Sequence, residues 1–154
     1  MTGKAIRVRR KRALRDIHGP VHAGSFLRER TILVNCASRE FSRVFVHEVF
    51  HFAWLRLGNG RRHSYEDLLR REWSERARGE LGWSAEWRKR ALSPRDSESR
   101  SRRWREYCCE SFCDTAAWLY SGVRRHKEFT LAVRFRNRRR AWFGLVSERG
   151  PFSI

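Results

Sequence analysis

The run Phe41-Ser42-Arg43-Val44-Phe45-Val46-His47-Glu48-Val49-Phe50-His51-Phe52-Ala53-Trp54-Leu55 constrains this chain more than any other stretch. Its apolar residues fall all round a helical wheel, which predicts a buried helix running from about Arg39 to Leu57. His47 and His51 stand four residues apart, one turn along the same face, so both imidazoles can reach a single ion. Glu48 follows His47 at about 100° of rotation, a position suited to a carboxylate that touches a metal-bound water rather than the metal. The chemistry predicted is hydrolysis at a metal with three protein ligands, one open position and a water whose pKa falls to about 7. The competing reading is a pair of hydrogen-bonded core histidines beside an ion-paired glutamate. On either reading, ionisable groups on a buried helix need partners.

A chain of 154 residues fits one domain with one hydrophobic core, and 40% hydrophobic and 13% aromatic residues supply the material for it. No apolar run approaches membrane-spanning length, and the basic segment Met1 to Arg15 has no apolar stretch behind it. The expectation is therefore no membrane span, no secretory signal and a cytoplasmic location. Four cysteines, three of them at Cys108, Cys109 and Cys113, are too clustered for a disulfide framework and read as reduced thiols. Cys109 and Cys113 are spaced to share a metal, although buried free cysteines usually behave as small hydrophobes.

Thirty-five basic against 17 acidic residues give a formal charge of +18, a field that favours polyanions. The arginines are dispersed, and no helix-turn-helix, zinc finger or RNA-binding signature accompanies them, so sequence-specific recognition is not supported. Non-specific nucleic acid binding through the basic surface is an expectation, and the alternative function is a non-enzymatic basic module that binds nucleic acid or an acidic partner and carries a structural or vestigial metal site.

Ahead of the histidine helix, a basic arm over 1–17 reads as solvated or as a frayed edge strand. His18-Gly19-Pro20 marks a turn, and Val21–Leu27 and Thr31–Asn35 read as strands of a small antiparallel ribbon. Asn35 or Ser38 is placed to cap the helix, and Gly58-Asn59-Gly60 to end it. The arginine-rich segment 61–103 has the character of an insert: a helix opened by Ser64-Tyr65-Glu66-Asp67, a shorter one from Ser84, and a loop over 93–101. Glu128–Arg136 alternates like a strand, with a helix packing Phe129, Val133 and Trp142 as the other possibility.

Trp104–Tyr120 predicts a second buried helix, on which Glu106, Glu110 and Asp114 recur every four residues. Acids inside a core need partners, and two helical histidines are available to share an ion with them. Glu110, central in the stripe, is the expected third ligand; Asp114 is expected to orient a histidine or substitute as ligand, and Glu106 to pair with arginine at the surface. Tyr107 and His126 are candidates for stabilising a transition-state oxyanion.

These segments together resemble the ImmA/IrrE group of metallo-endopeptidases within the H-E-x-x-H/Glu zincins. The matching features are the strand Arg30–Asn35 ending in Asn, the arginine-containing helix that enters His47-Glu48-Val49-Phe50-His51, and the later Glu110-Ser111-Phe112-Cys113-Asp114-Thr115-Ala116-Ala117. The likeness covers roughly residues 20–57 and 104–121. It implies one zinc ion per chain on His47, His51 and Glu110, Glu48 as general base, and a protein or peptide substrate. A second resemblance, to SprT-like proteases with a third histidine, would call on His63. The expected architecture is an α+β, zincin-like domain spanning 1–154, with a small antiparallel sheet packed on two buried helices that carry the metal ligands.

Overall fold

A computed structural model of the chain describes residues 2–16 and 19–154. The turn expected at His18 lies outside the described residues. Five strands, β1 (Arg7–Arg10), β2 (Arg15–Asp16), β3 (Gly19–Pro20), β4 (Ala23–Phe26) and β5 (Thr31–Val34), precede six helices. The helices are α1 (Ser38–Arg56), α2 (Asn59–Ser74), α3 (Trp83–Arg90), α4 (Pro94–Glu98), α5 (Arg102–Tyr120) and α6 (Val133–Glu148). The architecture is thus α+β.

β4 and β5 form the expected antiparallel ribbon, with Ser25 opposite Ile32. The sheet is nevertheless mixed. β1, from the basic arm, pairs parallel to β5 with Arg7 beside Thr31, giving the order β1-β5-β4. All four residues of β1 are exposed, so this strand lies at an edge where arginines stay in water while the backbone pairs. β5 alternates, with Ile32 and Val34 buried beneath α1.

α1 and α5 make the most extensive helix pair, and their Phe50, Trp54 and Phe112 pack ring against ring with Phe143 of α6 in an aromatic core. α1 is less uniformly buried than its composition implies: Phe41 and Leu55 are 43% and 50% exposed. Ala37 occupies its cap position without a side-chain bond, and the side chain of Ser38 lies outside the described structure. Gly58, at φ +77°, turns the chain in the left-handed region that favours glycine.

Two elements differ from the sequence expectation, and a third takes one of its stated alternatives. α2 starts directly at Asn59, and Ser64 bonds back to the carbonyl of Arg61 instead of capping a new helix. The expected loop over 93–101 contains α4, opened by a reciprocal capping box between Ser93 and Asp96 with Pro94 at the first turn. The alternating segment Glu128–Arg136 becomes helical at Val133, where α6 begins: Val133, expected on the core in the helical reading, faces solvent, while Phe129, before the helix, and Phe135 join Leu81 and Leu131 in a second apolar cluster.

The 61–103 segment packs into the fold through α3, which lies against α5. A buried charge cluster fastens this region. The Arg139 guanidinium of α6 bonds Glu72 at 2.7 Å and Glu80 at 2.7 Å, and Glu80 also accepts from Lys89 at 3.0 Å and Tyr107 at 2.6 Å. Arg139 and Glu80 are inaccessible to solvent, so every charge there depends on its partner.

Candidate metal centre

α1 and α5 cross so that the two histidines of one face the acids of the other. Nε2 of His47 lies 3.2 Å from Nε2 of His51 and 3.3 Å from Oε2 of Glu110. One donor atom from each of the three residues lies within 4.8 Å of the others. Tetrahedral zinc with N and O ligands at about 2.0–2.2 Å has ligand–ligand edges of about 3.3–3.6 Å, so these two separations lie close to the edges of a three-ligand set that leaves one position open. The chemistry of the donors fits as well. Nδ1 of His47 lies 2.7 Å from Oδ1 of Asp114, so the ring keeps a proton on that side and offers Nε2 to a metal once the Nε2 proton is released.

Electrostatics reinforce the convergence. Burial opposes charge on His47, but the Asp114 and Glu110 carboxylates outweigh it and hold its pKa well above the ordinary histidine value. Burial likewise opposes charge on His51, where Cys109 and Glu110 prevail and raise the pKa to about 9. Glu110 is pushed upward by burial, yet His47, His51 and Arg88 bring it down to about 2. A metal ion binding there takes the place of the protons that the carboxylates favour on the imidazoles, so its uptake releases protons and weakens as pH falls.

The sequence-predicted residues separate into two groups. His47, His51, Glu110 and Asp114 come together as expected. Glu48, which follows His47 on α1, is buried, and the hydroxyl of Ser25 on β4 lies 2.6 Å from its Oε2 and 2.8 Å from its backbone oxygen. Glu106 pairs with Arg102 at the surface, as expected. Tyr107 and His126 are engaged elsewhere. The Tyr107 hydroxyl donates to Glu80, and His126 places Nε2 3.3 Å from Glu40 while Nδ1 accepts the Glu128 N–H. His63 is exposed on α2.

Four participants carried no readable signal. Ser25 holds Glu48. Arg88 of α3 pairs with Oε1 of Glu110 at 3.4 Å, leaving Oε2 for His47. The Ala85 N–H, in the first turn of α3, donates to Oδ2 of Asp114 at 3.1 Å. Gly82, just before that helix, passes so close to Asp114 that a Cβ would stand 2.2 Å from its carboxylate. All four lie far along the chain from the residues they serve. Cys109, whose spacing from Cys113 suggested shared ligation, sets its Sγ 3.5 Å from Nδ1 of His51.

No family model, curated protein or solved structure matches the chain. Among the described residues no helix is long and apolar enough to cross a membrane.

Proposed function

We propose that this chain is a zinc-dependent peptidase of the H-E-x-x-H/Glu kind that its sequence resembles, with His47, His51 and Glu110 as ligands and Glu48 as general base. The observation that carries the reading is the approach of Nε2 of His47 to both Nε2 of His51 and Oε2 of Glu110 at coordination-edge distances. A zinc ion bound there supplies Lewis-acid polarisation of a peptide carbonyl and lowers the pKa of water to about 7.

The chain's own residues account for the proton. Glu48 accepts it from the attacking water and returns it to the leaving amine. Ser25 suits both states of that carboxyl: its hydroxyl donates to Oε2 when Glu48 is ionised, and accepts from Glu48 while donating to the backbone oxygen when the acid is protonated. β4, which carries Ser25, is an edge strand, the kind of element to which an extended peptide adds. Asp114 keeps His47 in the required tautomer, and Arg88 steadies Glu110.

The test is metal content and hydrolysis together. The purified chain is expected to bind zinc stoichiometrically, His47→Ala to lose that ion, and Glu48→Gln to keep it while losing peptide hydrolysis. Absence of stoichiometric zinc, or undiminished hydrolysis in Glu48→Gln, overturns the reading.

A further inference from the structure

His51 has two nitrogens, and each faces a different set of donors. Its Nε2 points to His47, whereas its Nδ1 points to Cys109. The thiols of Cys109 and Cys113, one turn apart on α5, are close enough to interact with each other, and with His51 they form a second group whose donor atoms all lie within 4.8 Å. Tetrahedral zinc with Zn–S of about 2.3 Å and Zn–N of about 2.0–2.1 Å has an N–S edge of about 3.6 Å. The measured Nδ1 to Sγ separation is 3.5 Å. Cys113 is completely buried and Cys109 half-buried, and both are free thiols, so neither sulfur is committed to a disulfide.

We propose that Cys109, Cys113 and Nδ1 of His51 form a second metal site, built for a thiophilic divalent ion such as zinc or cadmium. Soft thiolate donors select such ions over magnesium or calcium, which the oxygen-poor donor set does not suit. Both sulfurs ligate as thiolates and Nδ1 of His51 gives up its proton, the displaced protons passing to solvent, so that with both sites filled the deprotonated imidazole bridges two ions. The site shares His51 with the proposed catalytic ion but does not rest on peptidase activity. Its consequence for that reading is direct: an ion on the thiolates fixes the ring that presents Nε2 to the first site.

Cobalt provides the probe, because thiolate ligation produces a sulfur-to-metal charge-transfer band that N and O ligands do not. The reduced full chain is titrated with Co²⁺ and followed by absorption. Wild type is expected to bind two equivalents, one of them with the charge-transfer band. His47→Ala is expected to retain the band with one equivalent, and Cys109→Ser/Cys113→Ser to bind one equivalent without it. Since serine at the buried position 113 can impair folding, sulfur in the first shell of zinc-loaded wild type, read by X-ray absorption, gives a second measurement on the unaltered chain.

A wild-type chain that binds cobalt with no charge-transfer band and no sulfur scattering overturns the second site and leaves the first standing. A band that persists in the double serine variant also overturns it. A single equivalent that carries the band in wild type supports the thiolate site and removes the His47 set instead.

Discussion

Oδ1 of Asp114 lies 2.7 Å from Nδ1 of His47, and the other oxygen of the same carboxylate accepts the N–H of Ala85. One acid therefore ties α1, α3 and α5 together at the ring that is central to the candidate site. Replacing it with asparagine keeps the shape but removes the charge, and turns an amide N–H toward either His47 or Ala85, where a donor meets a donor. Asp114→Asn is expected to weaken metal binding by roughly 10- to 100-fold, the usual effect of losing a group that orients a ligating histidine. Competition with a chromogenic chelator measures it, and an unchanged affinity removes Asp114 from the site.

Gly82 offers an independent handle on the same contact. Its φ of −172° is extended backbone that alanine adopts freely, so the only obstacle to Gly82→Ala is the new methyl, 2.2 Å from the Asp114 carboxylate. The acid must shift, and His47 loses its support. Gly82→Ala is expected to reproduce the weakened metal binding of Asp114→Asn, and the double variant to be no weaker than the single ones, because both changes remove one interaction. Additive losses in the chelator assay would show that Gly82 acts elsewhere.

Ser25→Ala separates proton handling from metal binding. The serine touches Glu48 and no residue of the ligand set, so metal content is expected to remain that of wild type. A hydrogen bond to a charged group contributes about 1.5–3 kcal/mol, which predicts at least a tenfold fall in hydrolysis. Cleavage of a peptide library, with metal content measured in parallel, checks both halves. Loss of metal in Ser25→Ala would mean that the β4 contact supports α1 generally.

The elements that the sequence made legible are those whose cause is local. A long apolar run with histidines one turn apart suffices to predict α1, an acid at every fourth residue the acidic face of α5, and β-branched composition β5. Long-range pairing left no such trace. The arginines of Arg7–Arg10 leave a solvated arm and a frayed edge strand both open, and backbone bonds to β5 make it an edge strand, parallel to β5, while its side chains stay in water. Phe-Arg alternation after Glu128 looked like a strand because the pattern is short, and the longer period that makes it helical emerges only across Phe135, Arg139, Phe143 and Val146. Ser25, Arg88 and Gly82 were silent because their roles exist only once β4 and α3 have been brought to the histidines. Tyr107 and His126 show the converse: residue type and proximity in sequence suggested chemistry, and an ionic partner elsewhere in the fold engaged them.

That competition is clearest at Glu80, whose titration predicts how the fold responds to acid. Burial raises its pKa, but Arg139, Lys89 and the Tyr107 hydroxyl prevail and bring it from 4.5 to about 2. A carboxyl depressed in the fold contributes stability that is complete above its unfolded value and lost as pH falls through the folded one. The window is therefore pH 4.5 down to 2, and the contribution is on the order of 3 kcal/mol. Glu72 opposes it, because burial there outweighs Arg139 and leaves its pKa raised, so its protonation begins above 4.5 and favours the folded state. Glu80→Gln is expected to lower the urea midpoint at pH 7, since Arg139 and Lys89 keep their charges with one carboxylate fewer. Between pH 4.5 and 2 the midpoint of the variant is expected to fall less steeply than that of wild type, and the two curves to converge near pH 2. Parallel curves across that range would show that Glu80 is not the group whose protonation loosens the fold.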